Sequence, residues 1–250
     1  MTTDSTRVAL VTGGTSGFGA EIAARLQADG MRVAVTGRRA PADDVAALLG
    51  DALFVAGDLT EPGVPDRIVQ EVTDAFGRLD VLVNNAGRRH AGLIVDTPPE
   101  ELTEVFALNA IAAMTMTAAA ARAMIAQGSG GAIITMLSRL ASSGVPTLTT
   151  YTASKGALAA YTKGAAVELA PHDIRVNAVA PGMALTPLIE DWLADQPDPE
   201  KALGDTLADI PLGRLATPAD VAAAVAYLAS PEAAYVTGAS IAVDGGYTAR

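Results

Sequence analysis

The chain contains 250 residues, of which half are hydrophobic and 18% are charged, so it is long and apolar enough for one large or two small globular domains and is not disordered. Its formal net charge of −11 argues against nucleic acid and anionic membrane surfaces as partners, because both bind basic surfaces. The absence of cysteine excludes disulfides, thiolate zinc sites and a cysteine nucleophile, and with only two histidines we expect no metal site.

The start of the chain and its most apolar stretch both bear on cellular location. Met1–Arg7 is polar, and Val8–Val11 is too short for the apolar core of a signal peptide. The most apolar helical stretch, Ala110–Ala121, is bracketed by Asn109 and Arg122 and is well short of a membrane span. We therefore expect a cytoplasmic protein with no membrane partner.

An apolar strand, Arg7–Thr12, leads into a glycine-rich turn and then into a helix over Ala20–Asp29. In this context glycines let the backbone approach a pyrophosphate, whose charge lies at the helix N-terminus. A glycine-rich turn without a ligand is the alternative. The candidate dinucleotide contacts in the turn are Gly13, Thr15, Ser16, Gly17, Phe18 and Gly19.

The end of the second strand, Met31–Thr36, bears on the choice of dinucleotide. NAD sites usually place an acid here for the ribose 2′-hydroxyl, whereas arginine accommodates the 2′-phosphate of NADP. This chain has no acid here and instead has Arg38 and Arg39, which favours NADP(H) over NAD(H). Alternatively, both arginines point into solvent.

Two further strands end in residues suited to a cofactor. Leu53–Ala56 is followed by Asp58 and Leu59, where the carboxylate would bond an adenine amino group or merely cap the next helix. Leu79–Val83 runs into small residues that suit a backbone lying against the cofactor, or make only a turn. These small residues are Asn85, Ala86 and Gly87.

The middle of the chain combines a long alanine-rich helix, Pro99–Gln127, with a strand, Ala132–Leu137. The helix contains Asn109, which either satisfies nearby backbone or interrupts the helix and holds a water. Ser138 follows the strand, at the edge of a parallel sheet where ligands bind.

Tyr151 and Lys155 lie four residues apart on the next helix, and therefore on one face of it. A phenol titrates near pH ~10 in water, and a nearby cation lowers its pKa. A shift of about three units needs roughly 4 kcal/mol. A solvated helix face is the plain alternative to a catalytic pair.

The last part of the chain keeps the alternation of strands and helices apart from one insertion, 183–214, which is rich in proline and contains the only tryptophan. An insertion after a sheet strand suits a substrate lid. We therefore predict one α/β domain over 1–250, a Rossmann-type doubly wound parallel sheet of about seven strands with helices on both faces. The other predicted elements are helices at Asp43–Leu49, Pro65–Phe76, Tyr151–Ala170 and Pro218–Ala229, and strands at Ile174–Val179 and Ser240–Val243.

Several motifs in order make the chain resemble the single-domain branch of the short-chain dehydrogenase/reductase family. Residues 12–19 match the family's TGxxxGxG turn, 84–87 its NNAG segment, Tyr151 and Lys155 its YxxxK pair, and Pro181-Gly182 with Thr186 its PG segment at the nicotinamide end. The resemblance extends over nearly the whole chain, from about Arg7 to Tyr247.

The resemblance implies a catalytic tetrad of Asn109, Ser138, Tyr151 and Lys155, and cofactor contacts from Asp58, Tyr151, Lys155, Pro181, Gly182 and Thr186. It implies an enzyme that interconverts a carbonyl and a secondary alcohol with a nicotinamide dinucleotide. It also implies a homotetramer, or homodimer, assembled partly through the two alanine-rich helices. Enoyl reductases of the family place the lysine further from the tyrosine, so the spacing here favours carbonyl chemistry.

The substrate is open at this stage. Reduction of a 3-oxoacyl carrier protein is one alternative, although only Arg122 lies where such reductases carry a basic patch. Arg88, Arg89 and His90 would meet an anionic small-molecule substrate or form a solvated loop. A dinucleotide-binding regulator without turnover is the alternative from another class, and the presence of all four tetrad residues argues against it.

Overall fold

The computed structural model describes residues 6–250, apart from the side chains at positions 187, 188, 190 and 191. Most of the polar segment predicted at 1–7 therefore lies outside the described residues. Seven parallel strands form one sheet in the order β3-β2-β1-β4-β5-β6-β7. The strands are β1 Val8–Thr12, β2 Arg32–Gly37, β3 Leu53–Ala56, β4 Val81–Asn84, β5 Gly131–Met136, β6 Ile174–Pro181 and β7 Ser240–Val243.

Helices cover both faces of the sheet, as the sequence predicts. They are α1 Gly17–Ala28, α2 Asp43–Leu49, α3 Val64–Phe76, α4 Pro99–Phe106, α5 Ala112–Gln127, α6 Thr149–Leu169, α7 Pro187–Ala194, α8 Pro199–Ala208 and α9 Pro218–Ala229. On one face α1 and α9 pack on the strands, and on the other face α3, α5 and α6 do so. This is the predicted Rossmann-type doubly wound architecture.

The alternation of side chains along β1 shows how one strand supplies both layers. Ala9 and Val11 belong to the core under α1 and α9, whereas Val8 and Leu10 belong to the core under α3 and α5. All four are fully buried. Because successive side chains point to opposite faces, a strand covered on both faces is apolar throughout, which explains the unbroken apolar run in the sequence.

The order of the strands reverses at β1, which pairs with β2 on one side and with β4 on the other. At such a reversal the connections leave β1 and β4 in opposite directions, and a crevice opens at the carboxyl ends of the strands. The fold therefore gathers the segments that follow β1, β2, β4 and β5 at one edge.

The long helix predicted over Pro99–Gln127 is present but irregular. A π-helical segment, Ala107–Ile111, separates α4 from α5 and contains Asn109. The whole run of 29 residues is long and apolar enough to span a bilayer by length and composition, so the expectation that it falls well short was wrong. The helical run continues through Asn109. In its most apolar 18-residue window, 56% of the residues are buried inside the fold, as in the core helix of a globular protein.

Other boundaries moved by a few residues for local reasons. β4 begins at Val81 and not at Leu79, because the Leu79 amide donates to the Gln127 side chain (3.0 Å) instead of joining the ladder. α1 begins at Gly17, inside the predicted turn. The insertion 183–214 is not irregular, since it contains α7 and α8, each of which begins at a proline.

Candidate active site

The turn after β1 is tied to the segment after β4 by side-chain hydrogen bonds. The Thr12 hydroxyl accepts from the backbone amides of Asn85 (2.9 Å) and Ala86 (3.0 Å). The Asn85 side chain in turn donates to the carbonyls of Thr12 (3.0 Å) and Gly13 (3.1 Å). The backbone amide and the side-chain amide of Asn85 are thus both used to hold the glycine turn.

Glycine is required at two positions of this turn. Gly13 has a φ of +62°, in the left-handed region that favours glycine. At Gly19 an added Cβ would collide with the Gly13 carbonyl oxygen and come within 2.5 Å of the Asn85 side chain. The turn therefore brings its backbone and the N-terminus of α1 to the sheet edge with no side chain in the way.

A cavity of about 820 Å³ runs along this edge from the glycine turn to α7 and α8. It meets the N-terminus of α1, where backbone amides and the helix dipole favour a phosphate. Its volume lies within the range of ligand sites, and the glycine cradle leaves room for a pyrophosphate. The residues present therefore fit a nicotinamide dinucleotide.

Most of the residues that the sequence singles out line this cavity. They are Gly13, Thr15, Ser16, Gly17, Phe18, Arg38, Leu59, Asn85, Ala86, Gly87, Ser138, Tyr151, Lys155, Pro181, Gly182 and Thr186. Gly19, Arg39, Asp58 and Asn109 do not line it. Gly19 and Asn109 lie behind its wall, as packing and hydrogen-bonding residues.

Arg39 lines a smaller adjoining pocket of about 480 Å³, which it shares with Arg38, Thr15 and Ser16. Both arginines are therefore beside the glycine turn, and neither forms an ion pair with a described carboxylate. Asp58 accepts hydrogen bonds from the amide (3.0 Å) and hydroxyl (2.7 Å) of Thr60. These bonds, with a smaller effect from Arg38, lower the pKa of Asp58. Asp58 thus closes a turn with Thr60 and does not cap α3, whose N-cap is Gly63, and its contact with an adenine stays a prediction.

Ser138 and Tyr151 reach the cavity from adjacent elements. Ser138 directly follows Leu137 at the end of β5 and caps a short 3₁₀ turn, its hydroxyl accepting from the Leu140 amide (3.2 Å). Tyr151 lies in the first turn of α6. Burial raises the pKa of Tyr151, while a hydrogen bond with Ser138 and the positive charge of Arg89 lower it.

Lys155 lies one turn further along α6 and is buried. Its ammonium donates to the Met136 carbonyl at the end of β5 (2.7 Å) and lies 5.9 Å from the centroid of the Tyr151 ring. Burial lowers the pKa of Lys155 to about 8. The sequence predicted that Lys155 lowers the pKa of Tyr151. In this structure burial raises that pKa overall, and the groups that partly offset the rise are Ser138 and Arg89.

Asn109 joins the active-site loop to α6. Its side chain accepts from the Arg88 amide (2.8 Å) and donates to the Arg88 carbonyl (2.8 Å) and to the Ser154 hydroxyl (3.2 Å). Ser154 then donates to the Tyr151 carbonyl (2.7 Å). Asn109 lies in the π-helical segment and satisfies the backbone of Arg88, whereas the water of the second alternative stays a prediction.

The loop after β4 carries three basic residues that behave differently. Arg88 pairs with Glu104 (3.0 Å), and the His90 ring lies 2.8 Å from the Glu101 carboxylate. Arg89 lines the cavity and acts on Tyr151. The loop is therefore neither a simple solvated turn nor a single basic cluster.

Three residues of the site were not identified from the sequence as functional candidates. Ser154 lies three residues after Tyr151 and is fully buried, and its spacing was the available signal. Arg139 follows Ser138 and lines the cavity, with its guanidinium stacked on the Tyr247 ring (3.6 Å). Thr12 is the first residue of the TGxxxGxG motif, but its hydroxyl bonds Asn85 and Ala86 only because β1 and β4 are neighbours in the sheet, which the motif does not show.

The fold and the site together define an oxidoreductase that uses a nicotinamide dinucleotide on alcohol or ketone substrates. A family model described as enoyl-(acyl carrier protein) reductase matches residues 13–248. The chain belongs to the short-chain dehydrogenase/reductase family.

Proteins similar to this chain include dehydrogenases with different substrates. The cis-4-hydroxycyclohexanecarboxylate dehydrogenase of Sinomonas cyclohexanicum is 41% identical over 97% of this chain and 97% of its own. The NADP-dependent (R)-specific alcohol dehydrogenase of Lentilactobacillus kefiri is 36% identical over 98% of this chain and 97% of its own. A crystal structure of an actinorhodin polyketide ketoreductase variant with NADPH superimposes with a TM-score of 0.91, at 34% identity, with all of both chains covered.

Proposed function

We propose that this protein is an NADP(H)-dependent oxidoreductase that interconverts a carbonyl compound and a secondary alcohol, with Tyr151 as the general acid and base. The observation that carries the proposal is the meeting of Ser138, Tyr151 and Lys155 in one cavity with the glycine turn. A phenol that can exchange a proton beside a dinucleotide cradle is what this reaction needs.

When bound, the nicotinamide supplies or accepts the hydride. In reduction, negative charge develops on the substrate oxygen, and a fixed hydroxyl donor at Ser138 stabilises it. Tyr151 donates the proton to that oxygen, and in oxidation its phenolate takes the proton from the alcohol. Lys155 holds the end of β5 through Met136 and provides a cation near the phenol. Asn109 positions α6 through Ser154.

Replacing Tyr151 with Phe tests the central role. Turnover of a panel of ketones, aldehydes and quinones, followed by NADPH oxidation, is expected to fall by at least about 10²-fold, because the proton donor is lost. NADPH binding, measured by calorimetry, is expected to stay within about twofold. Retained turnover with any panel member would refute Tyr151 as the acid. The surface variant Arg122→Gln, prepared and assayed in the same way, is the control and should keep wild-type turnover.

The preference for NADP(H) is argued from the two arginines beside the glycine turn. Arg38 and Arg39 share a pocket with Thr15 and Ser16, and no acid ends β2. A 2′-phosphate there would receive charge-assisted hydrogen bonds from guanidinium groups. A similar ketoreductase bound to NADPH and an NADP-dependent alcohol dehydrogenase among the relatives support the same choice.

The cofactor proposal is tested by the double substitution Arg38→Ala and Arg39→Ala. We expect NADPH affinity to fall by roughly 10- to 100-fold, since charged hydrogen bonds contribute about 1.5–3 kcal/mol. NADH affinity is expected to change by less than about threefold, because NADH has no 2′-phosphate. Equal losses for both dinucleotides would reject the assignment.

Residues 183–214 are proposed as a substrate lid within a single domain that spans 1–250. Ile189 and Trp192 of α7 and Thr206 of α8 line the cavity, which supports contact of this segment with the substrate. Trp192 is the only tryptophan, so its fluorescence would report closure on a ligand.

A homotetramer in the cytoplasm, with no nucleic-acid or membrane partner, completes the proposal. The exposed apolar residues Ile111 and Val167, next to and on the alanine-rich helices α5 and α6, support association of copies of the chain. The net charge of −11 argues against anionic surfaces. Arg122, the one basic residue where a carrier protein would dock, is already paired with Asp66, which disfavours carrier-protein substrates.

A further inference from the structure

The charge of the cavity is opposite to the charge of the chain. The sequence has 28 acidic residues against 17 lysines and arginines. Yet among the described side chains that line the cavity there is no aspartate or glutamate, while five cations are present. They are Arg38, Arg88, Arg89, Arg139 and Lys155.

Three of these cations have other contacts, and a fourth lies far from Tyr151. Lys155 donates to the Met136 carbonyl, and Arg88 pairs with Glu104. Arg139 stacks on Tyr247 and acts on Asp244. Arg38 lies at the opposite end of the cavity, beside the glycine turn.

Arg89 lies at the Tyr151 end of the cavity, where no described carboxylate is within ion-pairing distance of it and no described ring stacks on it. Its two neighbours are both anchored to the segment that carries α4, Arg88 through Glu104 and His90 through Glu101. The Arg88 backbone is also held at both its amide and its carbonyl by Asn109. The loop is therefore fixed on either side of Arg89, whose guanidinium has no ion pair with a described carboxylate and lies at the cavity near Tyr151.

We propose that the substrate carries its own oxyanion, a carboxylate, sulfonate or phosphonate-type group separate from the reacting carbonyl, and that Arg89 binds it. A guanidinium presents two parallel donors that match the two oxygens of such a group. In a chain with strong overall negative charge, a local cation is needed to attract an anion into the cavity. This inference rests on the proposed carbonyl/alcohol chemistry and names the substrate class for it.

The test compares ketones that differ only in the distal group. The probes are 4-oxopentanoate, 3-oxobutane-1-sulfonate and 3-oxobutylphosphonate, against the neutral methyl ester of 4-oxopentanoate. In the wild type we expect kcat/KM for at least one anion to exceed that of the ester by about tenfold or more. In Arg89→Gln this ratio is expected to fall towards one, mainly through KM, whereas Arg122→Gln is expected to keep it.

A binding measurement without turnover makes the test independent of catalysis. In Tyr151→Phe with NADP⁺ present, quenching of Trp192 fluorescence by the preferred anion is expected to give a Kd that rises at least about tenfold when Arg89→Gln is added. A wild-type ratio near or below one for all three anions, or a ratio and Kd unchanged in Arg89→Gln, would overturn the inference. Turnover of neutral carbonyls with no preference for anions would sink this inference alone, whereas no turnover of any neutral or anionic carbonyl would reject the proposed function itself.

Discussion

Tyr151 is held between opposing influences on its proton. Burial favours the neutral phenol and raises its pKa, while Ser138 and the charge of Arg89 favour the phenolate and lower it. A neutral phenol is the form needed to donate a proton to a reduced carbonyl, and the phenolate is needed for oxidation. In the proposed mechanism, burial therefore favours the acid role of Tyr151, and its two neighbours favour the phenolate that oxidation needs.

Ser138→Ala is expected to shift the pH profile of alcohol oxidation upward. Removing a hydrogen bond that lowers the pKa of Tyr151 raises that pKa, so the phenolate forms only at higher pH and the alkaline rise in kcat/KM moves with it. We also expect kcat to fall by about 10²–10³-fold through loss of the donor to the substrate oxygen. Ser138→Thr keeps the hydroxyl and is expected to restore the profile, and an unshifted profile in the alanine variant would contradict the contact.

Lys155 is expected to make the free energy of unfolding depend on pH. Its folded pKa of about 8 lies below the ordinary value of 10.5, so below pH ~8 it is charged in both states and its burial cost is fully present. Between those two pKa values the folded form has already lost its proton, and the cost declines as pH rises. Relative to Lys155→Met, the free energy of unfolding of the wild type, measured in urea, should therefore rise by about 2 kcal/mol from about pH 7.5 to 9.5. A relative free energy of unfolding that rises as the pH falls would contradict a lowered pKa of Lys155.

At the scale of elements, the π-helical segment places one side chain where a regular helix would not. It turns Asn109 towards the loop after β4, where the amide holds both backbone groups of Arg88 and reaches Ser154 on α6. Irregular turns of this kind commonly occur at functional sites. Here the result is that α4–α5, the Arg88 loop and α6 are joined around the candidate catalytic residues.

Asn109→Ala is expected to lower the free energy of unfolding by roughly 1–3 kcal/mol for each backbone group of Arg88 that is left buried without a partner. The KM for the preferred substrate is expected to rise because the loop that carries Arg89 is loosened. Thr115→Ala, which removes an exposed hydroxyl bonded to carbonyls of the same helix, is the control and should cost less than about 0.5 kcal/mol. Equal effects of the two substitutions would contradict a joining role for Asn109.

Two glycine substitutions separate close packing from helix propensity. Gly19→Ala adds a methyl group that collides with the Gly13 carbonyl, and it is expected to cost about 1–3 kcal/mol of stability and to weaken NADPH binding. Gly204→Ala lies in α8 with open space around it, and it is expected to raise stability by about 0.5–1 kcal/mol. Thermal unfolding and NADPH titration of the two variants provide the measurements. Wild-type NADPH affinity in Gly19→Ala would contradict the close packing of Gly19 against the glycine turn.

At the scale of the molecule, exposed apolar side chains bear on whether copies of the chain associate. Val167 is 78% exposed on α6, and Ile111, just before α5, is 53% exposed. Val167→Glu is expected to lower the mass measured by light scattering, because burial of a new carboxylate in an interface is costly. Lys163→Glu, an exposed charge change on the same helix, is the matched comparison. A wild-type monomer would contradict the proposed tetramer outright.

Much of the fold could be predicted because the central strands β1 and β4 have the apolar run of a buried parallel strand. Asp43–Leu49 and Pro218–Ala229, for example, have the predicted bounds. The errors occurred where a tertiary contact overrides local pattern. The amide of Leu79 bonds the Gln127 side chain and does not join the strand ladder. The predicted long helix contains a π-helical segment at Asn109, whose side chain bonds the loop after β4 and α6.

The sequence by itself determined the order of strands and helices, because apolar periodicity is a local property of a chain, and its motifs supplied the candidate tetrad through the family resemblance. Only the tertiary structure decided which of the neighbouring cations keeps a free charge. Arg88, Arg89 and His90 are indistinguishable as a run of letters, but Glu104 and Glu101 lie against the first and the last of them. Ion pairing depends on distances between elements that are remote in sequence, and those distances are set by how the helices pack on the sheet.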